Sequence, residues 1–229
     1  MKNTIKTFAL FLTAGAMLAS CDSYLDRQPD EPLTSDNIFK KQKTTLQYLT
    51  NIYSYQPDYE APACVSNSND IPWEACSDET SFAYLDRSYT QINYNSWNPS
   101  LHIYRDDTYN TPYKGIREAN YFMQHVHECP ELTDTDKGYY YNEARFLRAH
   151  FYAMMLPVYG PVFLIGDDPV DFTQSGLDQR ERNTWDECVN YVANELWEAA
   201  KGLPDSWPDI YYGRATKGAA LAARARLLL

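Results

Sequence analysis

A cysteine in the sequence context of an acylation site lies at position 21. It directly follows Leu18-Ala19-Ser20, and the residues before these combine Lys2 and Lys6 with an apolar run over residues 8–17. A basic start, a short apolar stretch and small residues before the cleavage point are typical of a secretory signal. A cysteine at this place is typical of the bacterial lipobox, in which the thiol is diacylated and the cysteine becomes the first mature residue.

We therefore expect residues 1–20 to be a signal peptide and Cys21 to be lipidated. Two or three acyl chains anchor a protein stably where a single chain does not, so the mature protein would sit on a membrane without spanning it. Residues 21–34 contain prolines and charges of both signs, which suits an extended tether between lipid and body. The alternative is an ordinary signal peptide with a cysteine near its cleavage site.

Four further cysteines are available for disulfide chemistry: Cys64, Cys76, Cys129 and Cys188. Export permits disulfides, and four cysteines allow three pairings. Cys64 and Cys76 lie twelve residues apart in a polar, loop-like segment, which a disulfide between them would close. Cys188 lies on the apolar face of a predicted helix, where we expect a buried thiol.

Signatures of catalysis and of metal binding are missing from the sequence. It contains no Gly-x-Ser-x-Gly, no phosphate loop and no Cys-x-x-Cys, and His127-Glu128 lacks the second histidine of a zinc-protease helix. The run from Asp134 through Asp136 to Gly138 has the glycine of a calcium loop one residue early, so an acid-rich helix amino-terminus is the better interpretation. We expect no enzyme, metal or cofactor, although paired carboxylates leave glycoside hydrolysis as a formal alternative.

The charge balance excludes one large class of partner. The 229 residues carry 31 acidic and 20 basic side chains, a formal charge of −11, and loss of Lys2 and Lys6 with the leader takes it to −13. Nucleic-acid binding needs a basic footprint, so we expect no nucleic-acid partner. No stretch approaches the ~20 apolar residues of a membrane span.

Apolar periodicity predicts an all-α architecture built from helix hairpins. Helical patterns occur over residues 35–55, from about Tyr113 to His127, through Ala144 to Met155, from the capping box at Thr184 to Gly202, and from about Ala215 onward. Small residues in the last of these let helices approach closely, so a tetratricopeptide-like array is plausible. Residues 57–100 have no helical period but many aromatic side chains, which predicts a long aromatic loop region.

The chain ends on Leu227-Leu228-Leu229 without a cap. A helix that ends on its apolar face lacks a partner. We therefore expect this sequence to be the amino-terminal part of a larger fold, so that residues 35–229 form an incomplete helical region.

Short motifs occur in a characteristic order and spacing along nearly the whole chain. They are Cys21-Asp-Ser-Tyr-Leu-Asp, Tyr113-Lys-Gly-Ile-Arg-Glu-Ala-Asn120, Glu143-Ala-Arg-Phe-Leu-Arg-Ala149, Tyr159-Gly-Pro-Val-Phe-Leu-Ile165 and Gly213-Arg-Ala-Thr-Lys-Gly-Ala-Ala220. In this order and spacing they resemble the SusD/RagB family of surface nutrient-binding lipoproteins of Bacteroidetes. The resemblance implies an all-α fold with tetratricopeptide-like hairpins, a place on the outer membrane facing outward, and a lid role over a SusC-type TonB-dependent transporter. It also implies an oligosaccharide ligand.

An oligosaccharide site needs flat aromatic rings for the C–H face of a sugar and planar polar groups for its hydroxyl rim. The aromatic loop region offers such pairings: Trp73 with Asp78, and Tyr94 with Trp97 and Asn98. We expect these five residues to bind substrate. The alternative is that the two tryptophans bury themselves against the helices and hold the loop down. Glu143, Arg145 and Arg148 share a helix with core residues, so we expect them to form structural ion pairs or hydrogen bonds.

Our first hypothesis is a non-enzymatic, lipid-anchored protein that captures oligosaccharide and delivers it to the transporter. A structural lipoprotein that docks another envelope protein without binding sugar is the second hypothesis, and a glycosidase is the third.

Overall fold

The computed structural model describes residues 35–56, 77–78, 107–167 and 181–229, and these ranges contain helices and loops but no strand. The chain divides into two compact units, residues 1–38 and 39–229. The described part of the first unit ends in a single-turn helix, α1 (Ser35–Ile38). The helices of the second unit are α2 (Gln42–Tyr53), α3 (Asp107–His125), α4 (Asp134–Tyr159), α5 (Trp185–Gly202) and α6 (Lys217–Leu228). Short 3-10 turns cover Val126–Glu128 and Asp209–Tyr211.

Helix α4 is the centre of the second unit. It packs extensively against α3 and α5, α5 packs against α6, and α2 contacts both α3 and α4. Its buried positions lie on more than one side of the helix, which is what a helix flanked by neighbours requires. They include Ala144, Leu147, Phe151, Tyr152 and Met155. The successive hairpins confirm the predicted all-α, tetratricopeptide-like fold.

Two glycines allow α4 to approach its neighbours closely. A Cβ atom on Gly115 of α3 would come within 2.5 Å of the Phe151 ring, and one on Gly202 of α5 would come within 2.1 Å of the Asn142 amide. Neither distance is possible without displacement of the α4 side chain. The helix hairpins therefore depend on the absence of a side chain at these two positions.

Local capping explains where α4 and α5 begin. Thr133 caps α4 by accepting a hydrogen bond from the Asp136 amide at 3.1 Å, which supports the interpretation of the acidic run as a helix start. Thr184 and Glu187 form the predicted capping box: Glu187 N–H donates to Thr184 Oγ1 at 3.3 Å, and Thr184 N–H donates to Glu187 Oε2 at 2.8 Å. At its other end α4 stops at Gly160, whose φ of 68° few residues other than glycine adopt.

The prediction of one continuous helix over residues 35–55 is wrong. The chain turns at residues 39–41, between α1 and α2, and α2 ends at Tyr53. Phe39 is buried at the turn, where its ring lies 5.4–5.9 Å from four other rings, those of Tyr48, Tyr121, Phe122 and His125. Aromatic packing therefore outweighs helical continuity at this position.

The apolar face expected for α5 also needs a correction. The apolar period of this segment begins at Trp185 in the sequence and predicts a buried side chain there, but Trp185 is 48% exposed. It is the first residue of the helix, and the buried stripe begins three residues later with Cys188 and continues through Val192, Leu196 and Ala199. An i, i+4 spacing from Cys188 describes the packed face better than one from Trp185.

Cys129 and Cys188 are both buried and free. Cys188 lies within 3.5 Å of the Val162 carbonyl, toward which its thiol donates, so the prediction of a buried thiol is confirmed. Cys64 and Cys76 lie outside the described residues, and their pairing stays a prediction. Among the helices that can be described, none is long and apolar enough to cross a bilayer.

Candidate functional site

Most of the residues predicted to bind substrate lie outside the described residues: Trp73, Tyr94, Trp97 and Asn98, together with the lipidation site Cys21. Asp78 is described, and it is an exposed residue in a bend. Its carboxylate is therefore accessible to a ligand. The predicted site as a whole stays a prediction.

The described residues contain a buried charge centre that joins three parts of the fold. Glu143 of α4 has no solvent exposure. Its Oε1 accepts a hydrogen bond from Arg214 Nε at 2.9 Å, and its Oε2 accepts one from Arg214 Nη2. The Tyr53 hydroxyl of α2 also donates to Glu143, and the Ala215 amide donates to the Tyr53 oxygen at 2.9 Å. We call Tyr53, Glu143 and Arg214 the Glu143 centre.

Aromatic rings enclose the arginine of the Glu143 centre. The guanidinium carbon of Arg214 lies 4.1 Å from the Trp207 ring centroid, 4.8 Å from that of Tyr140 and 5.2 Å from that of Tyr211. These distances are within the ~6 Å range of cation–π attraction. Trp207 Nε1 also donates to the Ala215 carbonyl at 2.7 Å. The loop between α5 and α6 is therefore fixed to α4 and α2 by charge and aromatic contacts together.

Burial and charge shift the pKa values in this centre. Burial opposes the charge of Arg214, but its hydrogen bonds and charge interaction with Glu143 raise the pKa of its guanidinium. Burial and the negative charge of Glu143 raise the pKa of Tyr53 well above its ordinary range. The Tyr53 phenol is therefore neutral near neutral pH and the Arg214 guanidinium stays charged, an arrangement suited to holding structure.

An open cleft lies beside the Glu143 centre, between α2 and the 3-10 turn at Asp209–Tyr211. Its volume is about 270 Å³. Two tyrosines at its edge are exposed, Tyr211 by 40% and Tyr212 by 95%. Its lining residues are Leu46, Leu49, Thr50, Tyr53, Tyr211, Tyr212, Gly213 and Arg214. We call this space the α2 cleft.

The α2 cleft combines ring surfaces, aliphatic side chains and hydroxyl groups. Gly213 has a φ of 94°, which allows the chain to turn sharply between Tyr212 and Arg214. The two residues on either side of this turn thereby serve different purposes: Arg214 faces the buried carboxylate and Tyr212 faces solvent. Such a surface is suited to binding a small ligand with one apolar face and a polar rim.

A second buried charge cluster links α4 to α5 and to the segment after α4. Arg148 is only 2% exposed, and its Nη1 donates to Asn120 Oδ1 at 2.7 Å and to Asp167 Oδ1 at 2.6 Å. Its Nη2 donates to Glu195 Oε2 at 2.5 Å, and Arg145 donates to both oxygens of Glu195 at 3.0 and 2.6 Å. The predicted structural role of Glu143, Arg145 and Arg148 is confirmed by these contacts.

The two arginines of this cluster control the charge of Glu195. Burial alone would raise the pKa of its carboxyl, but the hydrogen bonds from Arg145 and the charge of Arg148 outweigh that effect and lower it. The carboxylate is therefore ionised throughout the neutral range. Within ranges 35–56, 77–78, 107–167 and 181–229, no group of three or more His, Cys, Asp or Glu side chains is placed to hold a metal ion.

Sequence reasoning did not find Tyr211, Tyr212 and Arg214 as a site. The motif from Gly213 to Ala220 carried the resemblance, but its arginine was not assigned a partner. The available signal was the run Trp207-Pro-Asp-Ile-Tyr-Tyr-Gly-Arg214, in which aromatics flank a turn glycine. A pattern of this kind does not show that the rings meet α2, which precedes them by more than 150 residues.

Comparison with protein families gives one match. The model of a SusD-like family, described as starch-binding and associating with the outer membrane, matches residues 23–229. No curated protein matches the chain.

Solved structures share the fold. A SusD-like protein from Bacteroides fragilis has a TM-score of 0.70 and 25% identity, over 84% of this chain and 35% of its own. Surface glycan-binding protein A from Bacteroides uniformis has a TM-score of 0.67 and 18% identity, over 81% of this chain and 41% of its own. A SusD superfamily protein from Bacteroides thetaiotaomicron has a TM-score of 0.63 and 20% identity, over 82% of this chain and 44% of its own. The chain thus spans less than half the length of each of these proteins.

Proposed function

The chain belongs to the SusD-like family, whose model describes starch-binding proteins associated with the outer membrane, and from this premise we propose that it binds oligosaccharide nutrients at the cell surface. The family match over residues 23–229 is the observation that carries the proposal. The same fold serves a surface glycan-binding protein in Bacteroides uniformis. The proposal further includes a lipid anchor, a set of sugar-binding residues and a transporter as the partner.

The anchor is the acylated thiol of Cys21, exposed after removal of residues 1–20. Residues 21–34 tether the lipid to the helical body. Stable attachment follows from the number of acyl chains. The body faces the exterior, where extracellular glycan is available.

The sugar is held by the aromatic loop region. Trp73, Tyr94 and Trp97 supply flat surfaces for the C–H face of pyranose rings, while Asp78 and Asn98 bond to the hydroxyl rim. Binding is followed by delivery to a SusC-type TonB-dependent transporter. The work of the chain is thus capture and transfer without a chemical step.

Retention on polysaccharide gels tests this proposal. The purified chain is run through native gels containing soluble starch or laminarin, beside a Trp73→Ala/Trp97→Ala double variant. We expect the polysaccharide to slow the unaltered chain strongly and the folded double variant much less, because the stacking surfaces of the aromatic loop region are gone. Unchanged retention of that variant would contradict the assignment of these two residues.

The matched control is Trp185→Ala. Trp185 is a solvent-accessible tryptophan at the start of α5, and its loss should leave retention unchanged. Release of reducing sugar by the purified chain would favour the glycosidase hypothesis instead.

A further inference from the structure

The α2 cleft has the features of a small-molecule site, because α2 and residues 211–214 together give it ring, aliphatic and hydroxyl groups around an open concave surface. We propose that the cleft is a second carbohydrate site, which takes one pyranose ring of a neutral oligosaccharide against Tyr211 and Tyr212. The choice of ligand class rests on the proposed function. The location and the residues rest on the geometry of the cleft.

Tyr211 is a prearranged stacking surface. Its backbone amide donates to the Pro208 carbonyl at 2.8 Å, and its ring meets the Trp207 ring edge-on with centroids 6.2 Å apart. The Arg214 guanidinium lies 5.2 Å from the ring centroid, and Glu143 holds that guanidinium in turn. A ring that is fixed in this way but 40% exposed loses little freedom when a ligand stacks on it.

The opposite wall of the cleft is formed by one face of α2. Leu46 and Leu49 give it an aliphatic floor, and exposed Thr50 places a hydroxyl one turn further along the helix. A pyranose presents C–H groups on one face and hydroxyl groups around its edge. The aliphatic side chains and the two phenol rings of the cleft match the C–H face, and the Thr50 hydroxyl matches the hydroxyl edge.

Charge in the cleft argues for a neutral ligand. Arg214 is the cationic residue of the lining, but its Nε and Nη2 both donate to Glu143, so its charge is already compensated. The formal charge of the whole chain is −11, which disfavours anions further. Among the lining residues that the structure describes, a phosphorylated or carboxylated ligand therefore finds no uncompensated cation.

The size of the cleft limits the ligand to one ring. Pockets for drug-sized ligands are about 300–1,000 Å³, and the α2 cleft is about 270 Å³. Because the cleft is open to solvent, the rest of an oligosaccharide chain has room to extend outward past Tyr212. The site would thus hold an internal or terminal residue of a longer glycan.

Tyrosine-ring NMR tests the proposal on the full chain. Chain labelled with ¹³C in its tyrosine rings is titrated with maltoheptaose and with laminarihexaose, and the Tyr211 and Tyr212 signals are assigned by single Phe substitutions. We expect saturable shifts at both residues with at least one of the two glycans. The shifts should persist in the Trp73→Ala/Trp97→Ala double variant, because the proposal places this binding on Tyr211 and Tyr212.

A Thr50→Trp substitution places a bulky side chain in the cleft from the α2 side and leaves the tyrosines themselves unsubstituted. We expect it to weaken the binding reported by Tyr211 and Tyr212 at least about tenfold. Thr135→Trp, at an exposed position in the first turn of α4, is the matched control and should leave that binding unchanged. Shifts that persist undiminished in Thr50→Trp would overturn the proposal.

The outcomes separate this proposal from the proposed function. If starch or laminarin slows the chain in native gels but neither oligosaccharide shifts the Tyr211 and Tyr212 signals, the cleft proposal fails and glycan capture by the chain stands. This result would instead favour a protein partner as the ligand of the exposed Tyr211 and Tyr212 rings. If neither glycan binds by either measurement, both proposals fail.

Discussion

At the scale of single residues, Glu143 fixes the loop between α5 and α6 to helix α4 through its ion pair with Arg214. It is fully buried and receives hydrogen bonds from Arg214 and Tyr53. In a Glu143→Gln variant the neutral amide leaves the charge of Arg214 uncompensated. Breaking a buried ion pair in this way costs about 3–5 kcal/mol, which we expect as a loss in the free energy of unfolding measured with urea.

The control for this variant is Glu128→Gln, at an exposed carboxylate paired with His125 on the surface. Its effect should stay within about 0.5 kcal/mol. A Glu143→Gln protein as stable as the unaltered chain would show that the Glu143 centre does not hold the loop.

Glu195 makes the stability of the fold sensitive to acid. Arg145 and Arg148 lower the pKa of its carboxyl below the ordinary value of 4.5. The stabilisation is therefore complete above pH 4.5, where the unfolded chain is also ionised, and is lost as the pH falls through the lowered folded-state pKa. We expect the free energy of unfolding to fall less steeply below pH 4.5 in Glu195→Gln than in the unaltered chain.

The same measurement on Glu198→Gln separates this effect from a general loss of acidic groups. Glu198 lies on the same helix but pairs with Lys201 at the surface, where ion pairs contribute little. Its pH dependence should follow that of the unaltered chain. Equal slopes for Glu195→Gln and the unaltered chain would contradict the assignment of acid sensitivity to Glu195.

The structural role of Glu143, Arg145 and Arg148 was predictable because they share a helix with core residues. Their partners were not predictable, since Glu195 lies 50 residues from Arg145 and Arg214 lies 71 residues from Glu143. A local pattern shows which face a charge occupies. It does not show which distant charge meets it.

At the scale of helices, Gly115 sets the distance between α3 and α4. A methyl group at this position would press on the buried Phe151 ring, at 2.5 Å from its nearest carbon. Overpacking of this kind costs about 1–3 kcal/mol. We therefore expect Gly115→Ala to lower the midpoint of urea unfolding.

Gly138→Ala provides the opposite case in the same fold. Gly138 lies within α4, and a Cβ there meets no atom within 4 Å. Because alanine is the better helix former by about 1 kcal/mol, this substitution should raise the midpoint. A midpoint of urea unfolding that is raised in both variants would show that helix propensity, and not close packing, determines the effect of substituting Gly115.

Helix starts with side-chain caps could be predicted from sequence, and helix packing could not. The Thr184–Glu187 capping box is local, and it was identified from four consecutive residues. The turn at residues 39–41 was missed because Phe39 packs against rings of α3, more than 80 residues away. The apolar period predicts Trp185 on the buried face of α5, because periodicity alone does not show that the packed stripe begins only at Cys188.

At the scale of the whole molecule, the proposed attachment to a membrane depends on a single thiol, that of Cys21. Cells that express the full chain and process lipoproteins are fed a labelled fatty acid, and the chain is recovered from membrane and soluble fractions. We expect label and membrane association in the unaltered chain and neither in Cys21→Ser. Cys188→Ser is the control, since that thiol is buried and should not be acylated.

Label that persists in Cys21→Ser, or membrane association without label, would contradict the lipidation of Cys21. The helical fold itself could be predicted from periodicity and from the motif order. The aromatic loop region could not be positioned from the sequence, because without a helical or strand period nothing local fixes where its rings lie.

The central claim is that the chain binds carbohydrate, and calorimetric titration of the purified full chain tests it most directly. The titrants are a panel of neutral oligosaccharides that includes maltoheptaose and laminarihexaose. The account predicts a saturable heat of binding for at least one of them. Flat titrations across the whole panel, from a folded chain that still co-purifies with a TonB-dependent transporter, would contradict it and favour a purely structural lipoprotein.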